Sequence, residues 1–271
     1  MKVILSRKGF DSSFGGYPSP ILPDGTMLSM PIPGKSEISY SDIIYNSVSY
    51  SDILAQLSKN KFNEPQCHLD PDIRPYLRTT PIDGWRPAFG QLGAAQSFLE
   101  KRVGVGDLFL FFGWFKKTKE TEKGYSYMTK KDSSDFYDIS DLQVIYGYLQ
   151  IGEIIQKKDE IRKFTWHPHS GDEYNKEGYK NTLYIPAEKL SFAPDLPGYG
   201  TFSYDKKFVL TAENMTRSNW EYKNFLTHLV ESNRNNCAKD KSKHIQYRGQ
   251  WQELVLKETP ELEEWVKELF K

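Results

Sequence analysis

The amino-acid sequence predicts an α+β fold in which a bent, mostly antiparallel β core carries peripheral helices. Two aromatic segments, 108–115 and 143–151, read as buried strands, and each holds an interior glycine, Gly113 or Gly147. A lysine-rich stretch joins them, so they pair most simply as antiparallel neighbours, with the glycines marking bends. Helical spacing of apolar residues marks further segments opening near Ser51, Gln91, Ser218 and Thr259. The expectation is one α+β domain over residues 1–271, without internal repeat or linker.

Each element has its own warrant. Residues 2–6 read as a short strand entering a polar loop, 7–16, that contains Gly9, Gly15 and Gly16. At 21–28, Pro23-Asp24-Gly25 stands between apolar pairs. Proline presets φ and glycine accepts φ > 0, which predicts a hairpin. Ile53, Leu54 and Leu57 give the first helix one buried face. Five prolines punctuate 65–87, and loops that long usually cover or form a site. Leu92, Ala95, Phe98 and Leu99 define a helix over 91–102, closed by Gly104 and Gly106. Residues 182–186 and 207–210 read as shorter strands. Ser218 caps a helix carrying Trp220, Phe225, Leu226, Leu229 and Val230. Thr259-Pro260 opens the last helix, with Leu262, Trp265, Val266 and Leu269 in one stripe.

Composition bounds the function. Lys+Arg and Asp+Glu both number 36, so the chain is formally neutral and is no polycationic wrapper of nucleic acid. Rings make up 14% of the residues, enough to build a large core and to argue against wholesale disorder. Cys67 and Cys237 are too few for a disulfide scaffold or a cysteine-rich zinc module, so reduced thiols and a cytoplasmic location are expected. The longest apolar run, 108–115, falls far short of the ~20 residues of a membrane span, and no membrane partner is expected. No signal peptide is legible at the N-terminus.

Three segments could carry chemistry. The loop Arg7-Lys8-Gly9 with Ser12 and Ser13 offers cations, hydroxyls and open backbone N–H groups, the set a phosphate needs. It lacks the closing Gly-Lys-Ser/Thr of a P-loop, and a glycine turn with solvated charges is the alternative. The second segment is Cys67-His68-Leu69-Asp70-Pro71-Asp72. A His-x-Asp pair can open a two-His-one-carboxylate metal site, with His167, His169 or His228 as third ligand; a divalent metal on His68, Asp70 and His167 is the version to test. The plainer alternative is a turn about Pro71 with His68 bonded to backbone. The third runs from Asp83 to Gln91: Trp85 and Phe89 offer stacking faces, Arg86 a planar cation and Gln91 an amide, although rings more often pack a loop onto the core. Lysine-rich 116–131 and basic 239–248 could track phosphates but read more simply as solvated loops.

These same motifs carry a resemblance. Leu5-Ser6-Arg7-Lys8-Gly9-Phe10-Asp11-Ser12, then His68-Leu69-Asp70-Pro71-Asp72, then Gly84-Trp85-Arg86-Pro87-Ala88-Phe89-Gly90-Gln91 resemble the third family of nucleotide modification associated domains. The likeness continues through 106–115. It implies a part in making or handling modified DNA nucleotides in bacteria and their phages, with no established catalytic residue to carry over. More weakly, the two aromatic strands are similar to PUA-like barrels of EVE and ASCH type, which bind modified bases or RNA.

The leading expectation is therefore a nucleotide- or base-modifying enzyme. His68, Asp70, Asp72 or Asp11 would do the chemistry, Arg7, Lys8, Gly9, Ser12, Ser13, Arg86 and Gln91 would hold the nucleotide, and Trp85 and Phe89 would stack the base. The alternatives are a non-catalytic reader of modified bases, which would need no buried carboxylate–histidine pair, and an interaction component of a modification or defence system.

Overall fold

The computed structural model describes residues 1–78, 80–227, 238–247 and 252–271, leaving aside the side chains of 238–240. Among these residues nine strands form one curled, half-barrel sheet: β1 (Val3–Arg7), β2 (Ser19–Ile21), β3 (Phe89–Leu92), β4 (Leu108–Thr121), β5 (Gly124–Tyr127), β6 (Leu142–Ile155), β7 (Asn181–Pro186), β8 (Tyr199–Thr201) and β9 (Glu253–Leu256). The path runs β9-β1-β4-β6-β7-β3, with β2 and β5 on β4 and β8 on β6. Only β1 and β2 lie parallel to their partner β4. The fold is α+β and mostly antiparallel, as the sequence predicts.

The two aromatic strands are its spine. Phe109 pairs with Leu149 and Leu110 with Tyr148, but the register slips between Ile145 and Gly147, leaving Tyr146 as an extra residue. Such a bulge bends a strand and increases its twist, so the curl originates there. Gly113 has a different reason: a Cβ at that position would come within 2.7 Å of the Lys8 carbonyl. Its absence lets the chain leaving β1 lie against β4, where Lys8 N–H donates to the Phe112 carbonyl at 2.8 Å.

Ile4, Leu5, Phe109 and Phe111 are fully buried in the main core. Helix α1 (Tyr50–Ser58) seals a second apolar cluster with Ile53, Leu54 and Leu57, beside Phe10 and Tyr40. The last helix, Pro260–Leu269, begins as predicted, with the Thr259 side chain accepting from Leu262 N–H and Leu262, Val266 and Leu269 buried. The Pro-Asp-Gly hairpin also forms, Leu22 N–H reaching the Thr26 carbonyl at 2.8 Å.

Three local expectations are corrected. Gln91 and Leu92 belong to β3, not to a helix, because 89–92 pairs with Asn181–Tyr184; Gly93, at φ 62, then turns into the helix Gly93–Leu99. Residues 206–208 form a 3-10 turn, not a strand, with the Asp205 side chain accepting from Lys207 N–H. The segment after Ser218 is a strand, Asn219–Glu221, and a 3-10 turn, Asn224–Thr227, since Trp220 stacks on Tyr247 at 4.7 Å. His228, Leu229, Val230, Cys237 and Arg248 lie outside the described residues.

Candidate functional site

Four chain segments converge on one cleft of about 300 Å³: the loop after β1, the short strand Cys67–His68 with Asp70 beyond it, β3, and the turn Pro168–Ser170. His68, Asp70 and His169 each offer a ligand atom there, and these atoms lie within 4.8 Å of one another. Among the described residues this is the group of histidine and carboxylate donors arranged to hold a metal ion.

The surroundings fix which nitrogen faces the cleft. Asn181, on β7, gives its amide N–H groups to the His169 carbonyl at 2.9 Å and to Asn175 Oδ1 at 3.1 Å. Its Oδ1 can therefore only accept, and it lies 2.7 Å from His169 Nδ1. That places the proton on Nδ1 and leaves Nε2 with a free lone pair, the tautomer of a metal-ligating histidine held by an outer partner. Tyr174 stacks on the His169 ring at 5.0 Å, and its hydroxyl lies 3.2 Å from His68 Nδ1.

Asp70 is oriented from two sides. Its Oδ1 accepts from Gly90 N–H at 2.7 Å, and His167 Nε2 approaches the same oxygen at 3.2 Å without full hydrogen-bond alignment. His167 itself accepts from His169 N–H through Nδ1, at 3.2 Å, as the cap of the turn that Pro168 begins. His167 thus stands behind the carboxylate, while His169 faces the open side.

The electrostatics suit a cation. Burial pushes the His68 imidazole down to about 4 and that of His169 down to about 3, so both are neutral at pH 7. Burial opposes ionisation of Asp70, but His167, His169 and Lys8 together hold its carboxyl well below the usual range. Two neutral imidazoles and one carboxylate are a donor set for zinc or ferrous iron.

Gly90 makes this packing possible. A Cβ there would meet the His169 ring at 2.4 Å, far inside contact distance. Gly90→Ala is accordingly expected to cost about 1–3 kcal/mol in urea unfolding, the usual cost of overpacking. An unchanged midpoint would contradict the placement of the ring.

The other predicted residues divide. Gln91 lines the cleft and donates to Glu253 Oε1 at 2.5 Å. Lys8 also lines it, but its ammonium is met by Glu253 at 3.2 Å and lies 4.4 Å from the Phe89 ring centre. Arg7 and Asp11 pair at 3.0 Å on the cleft wall, and Gly9, at φ 80, is held under Ser29. Ser12 and Ser13 are exposed on the far side of that wall. Asp72 is outside the cleft: it takes both Arg78 nitrogens, at 3.1 and 2.6 Å, and the Trp85 indole N–H at 3.0 Å. Phe89 is wholly buried, and exposed Arg86 pairs with Glu153 at 3.1 Å. Neither these two nor Trp85 line the cleft.

The ring that does stand in the mouth is Phe14, 53% exposed. Asp11 holds it there by accepting from Ser13 and Phe14 N–H, at 2.7 and 2.8 Å. In sequence Phe14 is hidden because a Gly/Ser loop reads as a phosphate loop; the Asp11-x-x-Phe14 turn spacing is the signal that marks it.

A family model described as nucleotide modification associated domain 3 matches residues 2–257. The chain belongs to that family. The match takes in the cleft segments together with all of β1 and β9, so the His68–Asp70–His169 cluster lies within the domain the family defines. The family's description associates this nucleotide modification domain with nucleotides. No curated protein and no solved structure matches the chain. Among the described residues no helix is long and apolar enough to cross a membrane.

Proposed function

We propose that this nucleotide modification domain is a metal-dependent enzyme acting on a nucleotide or a DNA base bound in the cleft. The convergence of His68, Asp70 and His169 carries the reading. The observation also favours an enzyme over a reader of modified bases, for which a buried carboxylate–histidine pair such as Asp70 and His167 has no use. A divalent ion here would supply Lewis-acid or redox chemistry and activate a bound oxygen ligand.

The protein's own groups do the rest. Asn181 and Tyr174 fix the imidazoles, and Gly90 N–H with His167 fixes the carboxylate, so the donors are set before an ion arrives. Phe14 offers a flat apolar face at the mouth on which a nucleobase can stack. Gln91, tied to Glu253, presents a fixed amide on the cleft wall.

Two measurements test this. Protein purified without chelator is expected to carry about one equivalent of one divalent metal, or to take it up on titration; neither outcome being met would overturn the reading. Phe14→Ala should weaken nucleotide binding by about 5- to 100-fold, the stacking energy of one base, with metal content unchanged. Equal affinity in the two proteins would remove Phe14 from the site.

A further inference from the structure

On the other side of the Arg7–Asp11 wall lies a larger groove, about 810 Å³, that the proposed chemistry does not use. Arg7 and Asp11 line both spaces, so the groove and the cleft adjoin. Its floor is Trp114, whose indole N–H donates to Asp141 at 2.9 Å. Arg217 crosses above, its guanidinium carbon 3.9 Å from the Trp114 ring centre, and hydrogen-bonds the Ser12 hydroxyl.

Two arginines and two aspartates line the groove, but they are unevenly paired. Arg7 has Asp11 as its partner, and Asp141 is held by Trp114. Among the described residues Arg217 has no carboxylate within ion-pair distance; burial and Arg7 work against its charge, and Asp141 and Asp11 support it only from farther off. A half-buried guanidinium stacked on an indole and without a direct ion pair keeps its donors open to an anion. The surrounding hydroxyls of Ser12, Ser13 and Thr216 add donors of the kind phosphate oxygens accept. Because the two aspartates balance the two arginines, the groove suits a monoanionic phosphodiester better than a polyphosphate.

We infer that this groove binds the sugar-phosphate backbone of a single nucleic-acid strand, with Arg217 on a phosphodiester, so that the cleft receives a base that is part of a strand. This rests on the cleft being the nucleotide site proposed above, and it names the substrate class: a base within a polynucleotide, not a free nucleotide. A base in a duplex cannot reach a cleft of this kind, whereas an unpaired or flipped one can.

The test is fluorescence anisotropy of the full chain with labelled 12-mers of DNA and RNA of one sequence, against the corresponding mononucleotides. The wild-type protein is expected to bind at least one 12-mer at least about tenfold more tightly than any mononucleotide, and the preferred 12-mer identifies the source of the phosphodiester. Arg217→Ala should weaken that binding about tenfold and lower the slope of log affinity against log salt by about 0.7, the value for one phosphate contact on a single strand. Its metal content should stay that of the wild type. Arg217→Gln, which keeps a donor for Ser12, repeats the test if Arg217→Ala does not fold. A 12-mer bound no more tightly than a mononucleotide, or bound equally by wild type and both variants, would overturn the inference. Metal content of the same preparations separates the two claims, because a protein without metal that still binds strands through Arg217 refutes only the metal-dependent reading.

Discussion

His169→Ala is expected to lower bound metal from about one equivalent to less than about one tenth, while leaving the protein folded. In the proposed site the ring is one of three donors, and its Nε2 is presented by a network running through Asn181 and Asn175. Removing a donor from a three-donor site leaves two, which hold zinc or iron poorly at neutral pH. The ring also fills space beside Gly90 and Tyr174, so the variant should lose some stability as well. Asn181→Ala separates the two effects. It spares the ring but frees its tautomer, and a fall of about 10- to 100-fold in metal affinity is the expected effect of losing an outer-shell partner. Elemental analysis and metal titration read both variants, with circular dichroism as the control for fold. Full metal retention by His169→Ala would remove that residue from the site.

The second large effect concerns Glu253. Its side chain is fully buried and lies 3.2 Å from the Lys8 ammonium, which is itself only 8% exposed. The same oxygen accepts from Gln91. Glu253→Ala strands a buried ammonium and an amide donor together, and breaking such a pair typically costs about 3–5 kcal/mol. Urea unfolding should show it directly. Lys8→Met combined with Glu253→Leu should recover much of the loss, because well-packed apolar replacements of a buried pair are often neutral. If Glu253→Ala were as stable as wild type, the pair would not be holding the floor of the cleft. Lys8 and Gln91 both line that cleft, so the single variant should weaken nucleotide binding as well.

Much of the fold was legible where local pattern and tertiary contact agree. The aromatic strands show their burial through rings at nearly every position, and Thr259-Pro260 states its cap and its first turn together. The segment after Ser218 was not legible, because Trp220, Phe225 and Leu226 have helical spacing yet Trp220 is claimed by Phe112 and Tyr247 from distant strands. At the cleft, His68 and Asp70 could be singled out from their spacing, but the third residue of the cluster could not. His167 and His169 stand two residues apart, and only the turn begun by Pro168 decides which ring faces the cleft and which backs the carboxylate. Trp85 and Phe89 do not line the cleft for a related reason. Trp85 is tied to Asp72 through its indole N–H and Phe89 is buried in the core, and a sequence does not record which rings the fold turns towards a cavity.

Anomalous diffraction from crystals of the metal-loaded protein tests the central claim most directly. One strong peak is expected, bonded at about 2.0–2.2 Å to a nitrogen of His68, an oxygen of Asp70 and Nε2 of His169. A peak elsewhere, or none after soaking in zinc and in ferrous iron, would contradict it.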